Sequence, residues 1–157
     1  PWRLTVEGDA LRMEPAGDLS PLRRQHTRVE ELELPANEEI VLPDVMGDAL
    51  ELEIELEAQA APVVELNVLR SPGAEEYTRI SFYRERGFRA TSWNQPAGYP
   101  AQSVQSVLSI DTAHASMAAD VRPRPPETAQ VALGADEPLQ LRVLVDRSVV
   151  EVFAMCR

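Results

Sequence analysis

Asp146 and Glu151 stand five positions apart in LRVLVDRSVVEVF, a largely apolar run at residues 141–153. Carboxylate pairs do acid and base work in many hydrolases, and inverting glycosidases hold theirs about 6.5–9.5 Å apart. A tight turn at Arg147 and Ser148 would set Asp146 opposite Val149 and Leu144 opposite Glu151. The two carboxylates would then be diagonal neighbours, about 7–8 Å apart at the backbone, so spacing alone permits chemistry. Their surroundings argue against it. A general acid needs burial or a like charge to hold its proton. Arg142 is the other diagonal neighbour of Glu151, and a cation there opposes that role. Asp146 precedes a turn, where a carboxylate can accept backbone N–H bonds. The pair therefore reads as structural, with catalysis the weaker reading.

The remaining residues offer little reactive chemistry. His26 and His114 lie far apart with no ligand at metal-site spacing, so no metal is expected. Cys156 is the only cysteine, which excludes an internal disulfide. No glycine-rich phosphate loop and no Ser/His/Asp set is present, and no cofactor is expected. Asp111, in LSIDTAHAS, reads as a turn or hydrogen-bonding residue at a strand end. The aromatic run Tyr77, Phe82, Tyr83, Phe88, Trp93 and Tyr99 is the best candidate for sugar contact. Trp93, Tyr99 and Tyr83 are the residues named for it. Packing competes with that reading and is favoured over it.

The elements that must position these residues alternate with period two. In ALELEIELEA, Leu50, Leu52, Ile54 and Leu56 face one way, and Glu51, Glu53, Glu55 and Glu57 the other. Leu and Glu favour helices by propensity. A helix would smear this pattern around its circumference, so the period decides for a strand with a solvated Glu row. TRVEELEL, VVELNVL and YTRISFY alternate similarly, with slips, and turn signals such as LPDVMGD and SPGAEE separate them. WNQPAGYPAQ and VRPRPPETAQ read as loops. In the opening run Leu141, Val143, Val145, Val150 and Val152 share the core face. Arg142, Leu144, Asp146, Val149, Glu151 and Phe153 share the other. No segment shows a clean helical stripe. The expectation is an all-β, two-layer antiparallel sandwich of the concanavalin or jelly-roll kind.

Bulk composition sets wider limits. At 157 residues and 44% hydrophobic content, the chain is one domain's length and can bury a core. A net charge of −11 argues against nucleic acid as a partner. All 15 basic residues are Arg, which reads as codon bias. No apolar run approaches the roughly 20 residues of a membrane span, and no signal peptide is visible. The start PWRLTVEGDA reads like the edge of a fragment, and the compartment is left open.

VDRSVVEVF resembles the signature near the end of the C-terminal β-sandwich of glycoside hydrolase family 32, which contains invertases, inulinases and levanases. LRMEPAGDLSPLRR is similar to that family's connector from a catalytic propeller, with Met13 where the family has Gln. GDALELEIEL, SPGAEEYTRISFY, and LSIDTAHAS with RPPETA match further segments in the family's order. The resemblance implies residues 1–25 as connector and residues 26–157 as the sandwich. It implies a five-bladed propeller as partner, bearing three catalytic acidic residues in Asn-Asp-Pro, Arg-Asp-Pro and Glu-Cys contexts. None of those motifs occurs here, so no catalytic residue carries over, and the chain alone is expected to be inactive. Asp146, Arg147, Ser148, Glu151 and Phe153 fall on sandwich positions that the family reads as structural. The implied role is a brace for a β-fructosidase acting on sucrose or fructans, with a fructan-binding module as the alternative. The family continues for some tens of residues past EVFA, with Asn-Gly where Met155 and Cys156 stand. The expected sandwich therefore lacks its last strands, and either oligomerisation through the exposed edge or marginal stability is expected.

Overall fold

The computed structural model describes residues 2–8, 10–57, 61–86, 106–134 and 137–154. Nine strands form among them: β1 (Trp2–Glu7), β2 (Ala10–Pro15), β3 (Ala49–Leu56), β4 (Val63–Val68), β5 (Thr78–Tyr83), β6 (Ser106–Asp111), β7 (Glu127–Val131), β8 (Leu139–Asp146) and β9 (Val149–Ala154). A short 3-10 turn, Ser20–Leu22, is the one helical element among the described residues. The fold is all-β, as the periodicity requires.

β8 is central to one layer. Its LQLRVLVD alternation aims Leu139, Leu141, Val143 and Val145 inward, at 0, 2, 0 and 4% exposure. It pairs antiparallel with β3 on one side and β9 on the other, giving the order β3-β8-β9. The second layer has four antiparallel strands in the order β4-β5-β6-β7. Val68, Ile80, Phe82, Leu108 and Val131 from that layer join the β8 residues in a single core. Leu50, Leu52, Ile54 and Leu56 of β3 pack against it, as do Val150 and Val152 of β9. Truncating one fully buried leucine in such a core typically costs about 2–5 kcal/mol.

The β8–β9 hairpin has the register read from sequence: Asp146 lies opposite Val149 and Leu144 opposite Glu151. Arg147 takes a left-handed φ of 54°, which a two-residue turn demands and a Cβ resists. Asp48 helps hold it, its carbonyl accepting a bond from the Arg147 N–H.

Two expectations fail. TRVEELEL at 27–34 forms no ladder, and Val29, Leu32 and Leu34 stay 42, 39 and 50% exposed. Alternation assigns faces, but a strand also needs a neighbouring edge, and none of the described strands pairs with it. Conversely, the ETAQ of VRPRPPETAQ belongs to β7. Pro125 and Pro126 end just before that strand, where a missing N–H removes no ladder bond.

β1 and β2 form a separate two-stranded hairpin. Gly8, at φ 67°, opens its turn. Pairing of Trp2 with Pro15, Leu4 with Met13 and Val6 with Leu11 puts all six on one face.

Candidate functional site

The densest polar cluster lies on the outer face of the β3-β8-β9 sheet. Antiparallel pairing sets Glu53 opposite Arg142 and Glu51 opposite Leu144, which makes Glu51 a diagonal neighbour of Arg142. The Arg142 guanidinium reaches Glu51 Oε1 through Nε at 2.8 Å. Past the 3-10 turn the chain delivers Arg23 to the same carboxylate, with Nε donating to Oε2 at 2.6 Å and Nη2 to Oε1 at 2.7 Å. Nη2 also reaches Glu53 at 3.3 Å. The Glu51 side chain is 16% exposed, and Arg142 is 21% exposed. Two guanidiniums thus clamp one mostly buried carboxylate.

The electrostatics follow from that geometry. The hydrogen bond from Arg23 is the largest influence on Glu51 and holds its carboxyl below the ordinary value of 4.5. Burial opposes this, and the Arg142 bond and both positive charges reinforce it. Arg23 is correspondingly raised above the usual guanidinium value, first by its bond to Glu51. A carboxylate so held has no proton to give near neutral pH. The cluster can fasten the incoming chain to the sheet, and it is unsuited to general-acid work.

A second contact fastens the N-terminal hairpin. Trp2 Nε1 donates to Glu151 Oε1 at 2.6 Å, across 149 residues of sequence. Glu151 is therefore engaged by an indole. Arg142, the cation expected beside it, turns to Glu51 instead. Further along, Glu39 accepts from Arg70 at 2.9 and 2.8 Å and from Asn67 at 3.0 Å. The segment between β2 and β3 is thus fastened to β3 at Arg23 and to the end of β4 at Glu39.

Of the residues singled out from sequence, Asp146 is exposed, as are Arg147 and Ser148 in the turn. Phe153, on the outer face opposite Arg142, is 8% exposed and lies outside the inter-sheet core. Asp111 caps its strand end, with Oδ1 accepting from the Ala113 N–H at 2.8 Å. The described members of the aromatic run fall on different faces. Phe82 is core at 2% exposure, and its neighbour Tyr83 points to the other face of the same sheet. Tyr77 stacks on His114 at 5.0 Å and also carries the Arg79 guanidinium at 5.0 Å. Phe88, Trp93 and Tyr99 lie outside the described residues. No three His, Cys, Asp or Glu side chains among the described residues converge as metal ligands.

Glu51, Arg23 and Trp2 went unnoticed as site residues in the sequence. Glu51 reads there as one member of a solvated row, and Glu53 and Glu55 fit that description. Its departure depends on which strand pairs with β3, and residue alternation carries no such information.

A family model described as the C-terminal region of family 32 glycosyl hydrolases matches residues 18–155. No curated protein and no solved structure matches the chain. The matched range contains both sheets and Arg23, Glu51, Arg142 and Glu151, while the β1–β2 hairpin precedes it.

Proposed function

The chain belongs to the C-terminal domain family of the family 32 glycosyl hydrolases, and on that premise we propose that it is a non-catalytic brace for a β-fructosidase. A propeller carries out the hydrolysis of sucrose or fructans, and this domain holds it through the N-terminal hairpin. One observation carries the reading. Trp2, Leu4, Val6, Leu11 and Met13 share a hairpin face and are 59, 56, 76, 62 and 51% exposed. Two strands alone are marginally stable in water, and an apolar face of this kind needs cover. The opposite face is charged, with Arg3 and Glu14 paired at 2.7 Å. Trp2–Glu151 and the Arg23–Glu51–Arg142 clamp fasten the hairpin and the segment after it to the sandwich. Orientation is thereby transmitted from one body to the other.

The test mixes the chain with a separately produced propeller from a family 32 β-fructosidase and follows complex formation by sedimentation. A stable complex, weakened by Leu4→Asp and Val6→Asp, is expected. Release of fructose from sucrose by the chain alone would overturn the brace. Retention on a fructan affinity gel without any propeller complex would favour a binding module instead.

A further inference from the structure

We propose that the outer face of the β4-β5-β6-β7 sheet is a carbohydrate-binding surface, which holds a neutral sugar over a floor of two serines. The ladders set Glu65, Ser81, Ser109 and Thr128 in one rung across that face. Tyr83 and Val107 flank the serines on one side, and Arg79 and Asp111 on the other. Such rungs lie about 6.8 Å apart and the strands about 4.8 Å apart, so the face has roughly the footprint of one or two sugar rings.

The serines are the anomaly. β5 and β6 are the inner strands of this sheet. Strands favour β-branched and aromatic side chains, and serine adds little packing. Yet Ser81 and Ser109 stand directly opposite each other on the side away from the core, at 3 and 7% exposure. A short side chain between Tyr83 and Arg79, or between Val107 and Asp111, lies at the bottom of a dip. Neither hydroxyl has a hydrogen-bond partner among the described residues. Buried hydroxyls ordinarily find one, so this pair is set to receive a group from outside the sheet, directly or through one water.

The rim supplies the remaining chemistry. Arg79 Nε donates to Asn67 Oδ1 at 3.1 Å, and the guanidinium lies 5.0 Å from the centre of the Tyr77 ring. These contacts fix its plane. Its bonds to Glu65 and to the Tyr77 hydroxyl are both 3.4 Å, long enough to yield to a better partner. The Arg79 and Glu65 side chains are 34 and 42% exposed, so both can reach a ligand. Guanidinium donors, carboxylate acceptors and an amide side by side match the mixed donors and acceptors of adjacent sugar hydroxyls. Tyr83 adds a half-buried ring beside them. Glu65 and Asp111 border the serines and the chain carries −11, which disfavours a phosphate or carboxylate and leaves a neutral sugar. This face lies across the core from the Trp2 and Arg23 attachments, so sugar binding and a brace can coexist in one chain.

Nuclear magnetic resonance titration of the whole chain with nystose and, separately, with maltotetraose tests this. Saturable shifts of the Arg79, Ser81 and Ser109 amides are expected, with a Kd on the order of millimolar or tighter. The sugar that produces them distinguishes a fructan from a glucan as the ligand. Glu65→Ala removes one exposed acceptor and should weaken binding about tenfold. Ser81→Val combined with Ser109→Val fills the dip with a residue that strands prefer. Binding should be lost while the melting temperature holds or rises. Should that double variant misfold, Glu65→Ala decides, because its side chain is at the surface. Absence of shifts with both sugars, shifts confined to other parts of the chain, or unchanged affinity in Glu65→Ala overturns the proposal.

Discussion

β3 and the segment at 27–34 are written in nearly the same letters, ALELEIEL and TRVEELEL, and meet opposite fates. β3 pairs with β8 over all eight of its residues and packs four aliphatic side chains against the core. The other segment pairs with nothing among the described strands and leaves its aliphatics in water. The local patterns are close, although the step from Val29 to Leu32 breaks the alternation that β3 keeps throughout. β3 has an edge in register with it, on a strand whose inward residues complete the same apolar layer. Alternation states which side chains will share a face, and the ladder is conferred by a partner elsewhere in the chain.

That contrast can be broken most forcefully at β8. Leu141→Ala should destabilise the chain by about 2–5 kcal/mol in urea unfolding, whereas Leu32→Ala should change it by less than about 0.5 kcal/mol. Comparable losses at both sites would mean that the 27–34 segment is buried after all. Arg142→Ala comes next. It leaves the mostly buried Glu51 with Arg23 alone, and should cost about 1–3 kcal/mol.

A pH titration sharpens the comparison through Glu51. Its folded pKa lies below the ordinary value of 4.5, so the clamp's stabilisation is present above that value. It is lost as pH falls through the lower, folded value. The melting temperature of the unmodified chain should therefore drop more steeply below about pH 4.5 than that of Glu51→Gln. Parallel curves would show that the clamp contributes no pH-dependent stability. A milder change is expected from Arg147→Gly, which relieves a left-handed φ and should stabilise the hairpin by about 0.5–1 kcal/mol, read as a small rise in melting temperature.

What the sequence disclosed and withheld follows the same division. The β8–β9 register was legible because strong alternation meets a turn of fixed length at Arg147 and Ser148. The inward set Leu141, Val143, Val145, Val150 and Val152 was legible for the same reason. β7 was masked by Pro125 and Pro126, whose restriction ends one residue before the strand begins. Glu51 and Glu151 are both among the carboxylates diagonal to Arg142 on its face. Sequence adjacency favoured the nearer one, yet Trp2 holds it, and Trp2 lies at the far end of the chain. Within the aromatic run, adjacency in sequence did not place Phe82 and Tyr83 together, since they lie on opposite faces of a sheet.

The pairing of β3 with β8 also sets a schedule. Partners such as Glu51 and Leu144 are about ninety residues apart in the chain, so on a ribosome β3 emerges well before the strand it needs. At common rates of synthesis that wait is on the order of ten seconds. A strand apolar on both faces would spend the interval seeking any available edge. The glutamates at 51, 53 and 55 keep one side of β3 repellent to such encounters, in the manner of gatekeeper residues. When β8 arrives, it brings Arg142 to quench Glu51, and the charge that protected the nascent strand becomes part of its attachment.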